Sequence, residues 1–139
     1  MLRIARTPAD LLKCHVVRGI VFVEEQGVPY DLEIDEHEGA ALHVLWEEDG
    51  EPVATGRVRF LDDWAKLERI AVRKAWRGRG LGERIVERLV ELARERGDHR
   101  FKLHAQAHLR PYYERLGFAV QGELFQEADI DHYLMIREE

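Results

Sequence analysis

The chain is poor in the features that would place it in a membrane or outside the cell. Its 139 residues contain a single cysteine, Cys14, which has no partner for an internal disulfide. No uninterrupted apolar run approaches the roughly 20 residues that a membrane-spanning helix needs. The N-terminus also lacks the basic-then-apolar order of a signal peptide. We therefore expect one soluble globular domain that spans residues 1–139 and is cytoplasmic.

Positive charge is scarce in the chain as a whole. The formal net charge of −6 argues against general nucleic-acid binding. Residues 24–38, the acidic segment, contain no lysine or arginine but seven acids: Glu24, Glu25, Asp31, Glu33, Asp35, Glu36 and Glu38. Such a segment could attract a cationic ligand. It could equally be a solvated loop that keeps the protein in solution, and the sequence leaves both interpretations open.

Periodicity and turn residues predict the element order β-α-β-β-β-α-β-α-β-β. The first helix begins after Thr7 as N-cap and is predicted to run to about residue 25. Residues 26–39 are predicted to be a loop, and Asp49-Gly50 marks a hairpin turn. A second helix follows residue 81 and ends near Gly97, and a short third helix covers residues 111–116. The predicted strands span residues 2–5, 41–46, 53–60, 67–72, 101–107, 118–125 and 130–136.

Residues 66–88 carry the clearest functional pattern. An apolar strand leads into a turn with Gly78, Gly80 and Gly82, and an amphipathic helix follows. Glycine lets backbone N–H groups approach a ligand, and the free N–H groups at a helix N-terminus attract anions. The pattern predicts a phosphate cradle, although an ordinary strand-to-helix turn with a basic rim fits equally well. Neither GxxxxGK[ST] nor GxGxxG occurs, which excludes the P-loop and Rossmann sites.

Two motifs in this order resemble those of the GNAT N-acetyltransferase superfamily. Arg77-x-x-Gly80-x-Gly82 after an apolar strand resembles its motif A, and residues 112–118, YYERLGF, resemble its later [FLY]YExxGF segment. Residues 21–35, VFVEEQGVPYDLEID, and residues 103–106 are similar to the ElaA-like branch. Together the resemblance covers nearly the whole chain.

The resemblance implies an α+β fold. A mixed, mostly antiparallel sheet would carry helices on both faces, and a central pair of parallel strands would splay apart to form a crevice. Acetyl-CoA would bind there as co-substrate, and a backbone N–H near Ala71 or Val72 would hold the oxyanion of the reaction. The pantetheine arm would pair with the backbone of Ile70, Ala71 and Val72. The pyrophosphate would lie on the turn of Arg77, Gly78, Arg79, Gly80, Leu81 and Gly82. The usual second helix of this fold is missing from the predicted order.

The resemblance also implies roles for individual side chains. Tyr113 matches the tyrosine of the second motif and would protonate the departing CoA thiolate, since a phenol with a reference pKa of about 10 is protonated at neutral pH. Packing of the short helix is the alternative for Tyr113. Glu68 is the first candidate for the general base, and an ion pair with a nearby arginine is an equal alternative. Glu24 and Glu25 are alternative candidates for the base and would line the acceptor side. His132 could face the same side or could be an ordinary histidine of the sheet.

Metal and cysteine chemistry are not expected. His104 and His108 have the spacing of a zinc site on a helix, but on a strand four residues span about 13 Å, too far for two bonds to one ion. Cys14 lies in a helical apolar pattern, which favours packing over a nucleophilic role. Ala107 stands where many GNAT proteins have an asparagine, so side-chain contacts to the pantetheine arm are not implied here.

The sequence thus predicts an N-acetyltransferase that moves the acetyl group of acetyl-CoA directly to a primary amine in a ternary complex. The acidic segment suggests a cationic amine. The alternative is a non-catalytic acyl-CoA-binding module with a regulatory or interaction role. No nucleic acid or membrane partner is expected, and the chain could act as a monomer or a homodimer.

Overall fold

The computed structural model describes all residues, Met1–Glu139, and is built around one eight-stranded sheet. The strands are β1 Leu2–Ile4, β2 Leu42–Glu48, β3 Glu51–Phe60, β4 Ala65–Val72, β5 Arg100–Gln106, β6 Ala119–Val120, β7 Phe125–Glu127 and β8 Ile130–Glu138. The α-helices are α1 Pro8–Arg18, α2 Tyr30–Glu33, α3 Leu81–Glu95 and α4 Arg110–Arg115, and a π-helical segment, Gly19–Glu25, continues α1. A membrane crossing would need a longer and more apolar helix than any of these.

The sheet has the order β1-β2-β3-β4-β5-β8-β6, with β7 beside the first residues of β8. Only β4 and β5 are parallel, and they pair over just three residues each, Ala65 to Leu67 with Phe101 to Leu103. Beyond these residues β4 stays with β3 and β5 stays with β8, so the two parallel strands separate. The predicted α+β fold with a splayed central pair is confirmed.

α3 covers one face of the sheet with apolar side chains at helical spacing. Leu81, Ile85 and Leu89 are buried in the main core. Gly56 on β3 lies directly beneath them, and a Cβ at that position would come within 2.6 Å of Ile85 Cγ2. The missing side chain therefore allows α3 to lie close to the sheet, which fixes the helix and the turn that precedes it.

α1 and the π-helical segment cover the opposite face. Thr7 accepts a hydrogen bond from the Asp10 N–H at 3.1 Å, as expected for the N-cap, and Cys14 and Val17 are buried. The helix predicted to continue to residue 25 is α-helical only to Arg18. The hydrogen bonds become π-helical from Gly19 to Glu25, a change that the apolar spacing could not reveal.

Two other element predictions are wrong in detail. Residues 26–39 contain α2, so the helix that was missing from the predicted order is present as one short turn. The strand predicted at residues 118–125 is two strands, since β6 ends at Val120 and β7 begins at Phe125. Gly122 lies between them with a φ of 88°, which is incompatible with a continuous strand.

Candidate active site

A cavity of about 890 Å³ lies where β4 and β5 separate. This is within the usual size range of small-molecule and cofactor sites. Its lining includes most of the predicted site residues: Glu68, Ile70, Ala71, Val72, Arg77, Gly78, Gly80, Leu81, Gly82, Tyr113 and His132. Arg79, Glu24 and Glu25 are not part of the lining. The splay thus brings together the predicted cofactor residues other than Arg79, but not the two glutamates of the acceptor side.

β4 presents a free backbone edge to this cavity. Its pairing with β5 ends at Leu67, so the side of residues 68–72 that faces β5 has no partner strand. A bulge lies in the same stretch, where Arg69 and Ile70 together face Gly56 of β3. Arg69 has a φ of 54°, in the left-handed region that non-glycine residues seldom adopt. Since bulges bend a strand and redirect its side chains, this one helps β4 to diverge from β5.

The glycine-rich turn exposes backbone N–H groups at the start of α3. Gly78 and Gly80 both have a φ of 79°, a conformation that glycine adopts at no steric cost. Gly80 is the N-cap of α3, and no side chain caps this helix. The first bond of α3 runs from the Arg84 N–H to the Gly80 carbonyl, which leaves the preceding N–H groups without intrahelical partners. The turn therefore has the geometry of an anion site.

Arg77 holds the turn in place. Its Nε donates to the Val72 carbonyl at 2.9 Å, and its Nη2 pairs with Glu25 at 2.8 Å. Arg79 lies over the Trp76 ring at 4.8 Å. Glu25, predicted on the acceptor side, thus belongs to the rim of the turn, and Glu24 is exposed.

Gln26, the next residue along, reaches the cavity instead. Its Oε1 accepts a hydrogen bond from Gln106 Nε2 at 2.8 Å, across the gap between the first helix and β5. Neither glutamine was predicted as a site residue. Both lie in segments that are similar to the ElaA-like branch, so that resemblance was the available signal.

Tyr113 is 6% exposed and lines the cavity from α4. Its ring packs edge-on against Tyr112 at 5.0 Å and against Phe118 at 6.2 Å. Burial raises the pKa of the Tyr113 phenol, and that of Tyr112 as well, so both hydroxyls remain protonated at neutral pH. Tyr113 therefore has the protonation state that a proton donor needs, while also packing the short helix.

Glu68, the first candidate for the general base, lies among cations. Its carboxylate accepts hydrogen bonds from Arg57 at 2.9 Å and from Arg59 at 2.8 Å, and Lys66 Nζ lies 3.1 Å away. Burial alone would raise the pKa of this carboxyl, but the three cations lower the pKa to about 2. A carboxylate of such low basicity is poorly matched to proton abstraction near neutral pH. The structure favours the ion-pair interpretation of Glu68.

Arginines neutralise the inner half of the acidic segment. Arg18 and Arg57 are each only 1% exposed. Arg18 pairs with Glu33 at 2.5 Å and with Glu38 at 2.8 Å, and Arg57 pairs with Asp35 at 2.6 Å and with Glu38 at 3.0 Å. These three acids are therefore part of a buried ion-pair network. They are neither a solvated loop nor free charge for a ligand.

His132 lies in the part of the cavity lined by β5, β7 and β8, which we call the acceptor half. It is 7% exposed, and its Nδ1 donates to the Ile130 carbonyl at 2.7 Å. Its ring stacks on that of Phe125, with the ring centroids 5.9 Å apart, and Phe125 also contacts the His104 ring edge-on at 5.0 Å. His104 in turn contacts Glu127 at 2.9 Å. No group of three His, Cys, Asp or Glu side chains is arranged to hold a metal ion.

Comparison with known proteins agrees with the two motifs and the fold. The sequence profile of the Acetyltransferase (GNAT) family matches residues 11–118. The uncharacterized N-acetyltransferase YjcF of Bacillus subtilis is 38% identical over 136 residues, which cover 97% of each chain. The crystal structure of Escherichia coli ElaA covers 99% of each chain with a TM-score of 0.89 and 30% identity. That of an acyl-CoA N-acyltransferase from Pseudomonas aeruginosa covers 99% of this chain and 97% of its own, with a TM-score of 0.87 and 33% identity. The chain therefore belongs to the GNAT acetyltransferase family, with ElaA among its relatives.

Proposed function

We propose that this protein is a cytoplasmic N-acetyltransferase that transfers the acetyl group of acetyl-CoA directly to a primary amine in a ternary complex. The observation that carries the proposal is the continuity of one cavity. It joins the anion-binding turn before α3 to the free edge of β4 and then to the acceptor half. A CoA thioester needs the first two features, and an amine needs the third. The name of the related Pseudomonas aeruginosa acyl-CoA N-acyltransferase describes the same chemistry.

The backbone supplies most of the cofactor site in this proposal. The N–H groups that follow Gly80 would hold the pyrophosphate, with Arg77 beside them. The pantetheine arm would pair along Ile70, Ala71 and Val72, whose edge has no strand partner. A backbone N–H near Ala71 or Val72 would stabilise the negative charge on the carbonyl oxygen during transfer. Such contacts need no polar side chains, which agrees with the apolar sequence of β4.

Tyr113 is the proposed proton donor to the departing CoA thiolate. Its raised pKa keeps the phenol protonated, and its position in the cavity lining allows contact with a ligand. Glu68 is not retained as the base, because its three cationic partners leave the carboxylate weakly basic. A preference for polycations is not retained either, because Glu33, Asp35 and Glu38 already have arginine partners.

Calorimetric titration with acetyl-CoA tests the cofactor half of the site. We expect the wild type to bind and Gly80→Glu to bind about 100-fold more weakly, since a carboxylate on the turn would repel phosphate. Gly97→Glu is the matched control. Gly97 has a φ of 95° with open space around it at the other end of α3, so this variant suffers the same kind of backbone strain away from the turn.

Equal losses of acetyl-CoA affinity in both variants would attribute the effect to strain and contradict the phosphate site.

The acceptor half is then tested by CoA release with a polyamine, an aminoglycoside, an amino sugar, an amino acid and a short peptide, with the product identified by mass spectrometry. Amine-dependent acetylation supports the proposal. Tight binding of acetyl-CoA without acetylation of any amine would favour the acyl-CoA-binding module instead.

A further inference from the structure

His104 and Glu127 form a carboxylate–imidazole pair in the acceptor half of the cavity. His104 is the first residue of β5 beyond its pairing with β4, and Glu127 is the last residue of β7. His104 Nδ1 lies 2.9 Å from Glu127 Oε1, and both residues line the cavity. The pair thus lies at the point where the parallel strands begin to separate.

The pairing determines which nitrogen of the neutral His104 ring is free. An ionised carboxylate can only accept hydrogen bonds, so Nδ1 must be the donor. Nε2 then carries the available electron pair. Nε2 makes no hydrogen bond to the protein and is not among the buried polar atoms that lack a partner. It is therefore an accessible and unoccupied proton acceptor at the wall of the cavity.

Contacts with Phe125 and Glu127 hold the His104 and His132 rings in fixed orientations. Phe125 contacts His104 edge-on, with an interplanar angle of 77°, and stacks against His132. His132 Nε2 lies 3.7 Å from the second oxygen of Glu127. The His132 side chain is 8% exposed and that of His104 is 28% exposed. Of the two imidazoles, His104 is the more accessible to a ligand in the cavity.

The charges around the pair favour proton transfer to His104. The groups near it are Glu127 on β7, His132 on β8, and Lys66 and Glu68 on β4. Lys66 and Glu68 pair with each other at 3.1 Å. Glu127 is therefore the carboxylate that can stabilise a positive charge on His104, and the hydrogen bond from His104 lowers the pKa of Glu127 accordingly. No metal-binding arrangement exists here.

We propose that His104 is the general base of the acetyl transfer and that Glu127 is its positioning residue. This inference rests on the proposed function. The acceptor enters as an ammonium ion, and His104 Nε2 removes one proton, directly or through a water molecule. The freed electron pair forms the C–N bond with the thioester carbonyl, and the C–S bond breaks when the tetrahedral intermediate collapses. Tyr113 gives its phenolic proton to the departing thiolate. The second proton that leaves the acceptor nitrogen then restores the Tyr113 phenol.

Kinetics with an amine acetylated in the panel test the role of His104. For His104→Gln we expect kcat/KM to fall about 100-fold or more, the usual worth of a general base. The acidic limb of its pH profile should disappear, while acetyl-CoA affinity stays unchanged. His99→Gln is the control, because His99 is exposed and lies outside the cavity lining. A wild-type kcat/KM in His104→Gln, or an unchanged acidic limb, overturns the proposal.

Glu127→Gln separates positioning from general structure. We expect kcat/KM to fall about tenfold. The acidic limb should shift to lower pH, because the lost carboxylate no longer stabilises the imidazolium. Glu127→Asp should restore part of the rate. A fall in kcat/KM with an unmoved acidic limb would assign Glu127 a structural role only and overturn its part of the proposal.

Nitrogen-15 NMR of the histidine rings gives a readout that needs no acceptor. We expect the neutral His104 ring to carry its proton on Nδ1 in the wild type. An Nε2–H tautomer overturns the proposal whatever the acceptor is. If the wild type binds acetyl-CoA but acetylates no amine, the proposed function fails and the general-base role fails with it. If acetylation proceeds and His104→Gln is unaffected, only the general-base role fails.

Discussion

Arg18 is a buried side chain that, together with Arg57, neutralises the inner half of the acidic segment. Its Nε donates to the Glu33 carboxylate, and its Nη2 donates to the Glu33 carbonyl at 2.7 Å. Both terminal nitrogens also reach Glu38 at 2.8 Å. Residues 24–38 contain no lysine or arginine, because the compensating cations lie outside the segment, Arg18 upstream in α1 and Arg57 downstream in β3. A local pattern of charge therefore could not distinguish a free acidic loop from one that is neutralised internally.

Replacement of Arg18 tests this role by stability. We expect Arg18→Leu to lower the free energy of unfolding in urea by about 3–5 kcal/mol, because buried Glu33 would lose its hydrogen-bonded partner. The remaining cation near Glu33 would be Arg69, whose Nε lies 3.6 Å away. Arg88→Leu is the control, since Arg88 pairs with Glu91 at 3.1 Å on the exposed side of α3. That change should stay within about 0.5 kcal/mol. Similar small losses in both variants would contradict the structural role of the Arg18 network.

At the scale of elements, the first turn of α3 and the helix α4 meet at one glycine, Gly82. A Cβ on Gly82 would collide with the hydroxyl of Tyr112, and it would also lie 3.8 Å from Val72 Cγ2. Gly82 does not have a positive φ. Its lack of a side chain is needed for the close approach of Tyr112 and not for the shape of the turn. The motif spacing placed Gly82 in the cofactor site for the approach of backbone N–H groups to a ligand, and it did not indicate the contact with Tyr112.

A double substitution tests this contact. Gly82→Ala alone should push Tyr112 out of its position and weaken acetyl-CoA binding about tenfold. In the Tyr112→Phe background the hydroxyl is absent, so Gly82→Ala should have little effect on binding in the same calorimetric titration. Tyr112→Phe alone serves as the reference. An equal loss with and without the hydroxyl would show that Gly82 acts through the backbone of the turn.

The regular elements were largely predictable because their signals are local. Thr7, the Asp49-Gly50 turn and the spacing of Leu81, Ile85 and Leu89 each act within a few residues. The π-helical segment, the short α2 and the break near Gly122 depend on what the chain packs against, and they were missed. The pairing of His104 with Glu127 joins residues 23 positions apart, so no spacing pattern could reveal it. The glycine-rich turn was predictable because Gly78, Gly80 and Gly82 lie within five residues of one another.

For the molecule as a whole, carboxylates with lowered pKa values should make stability depend on pH. Burial opposes a lower pKa at both Glu68 and Glu38, but their cationic partners, which include Lys66 at Glu68, lower each pKa to about 2. In the unfolded chain a glutamate has a pKa of about 4.3. Since the folded pKa is the lower one, the stabilisation is complete above the unfolded value. It is lost as pH falls from about 5 towards 2.

Urea unfolding at a series of pH values tests this dependence. We expect Glu68→Gln to be about 3 kcal/mol less stable than the wild type at pH 7, with the difference shrinking towards pH 3. Glu91→Gln, on the exposed side of α3, should show neither effect. A difference between Glu68→Gln and the wild type that does not change with pH would contradict the ion-pair origin of the stabilisation.

The three-residue pairing of β4 with β5 has a mechanical consequence. The sheet consists of two half-sheets, β1 to β4 and β5 to β8, joined by a short seam. Past Leu67 no backbone pairing joins the two half-sheets, because the cavity lies between them. Gln106 of β5 instead donates a hydrogen bond to Gln26, at the end of the π-helical segment. An extended ligand that pairs with the free edge of β4 would form hydrogen bonds with the backbone groups that lack a strand partner there. The protein with bound cofactor would then be stiffer between the two half-sheets than the free protein, because the cofactor would occupy the place of a strand.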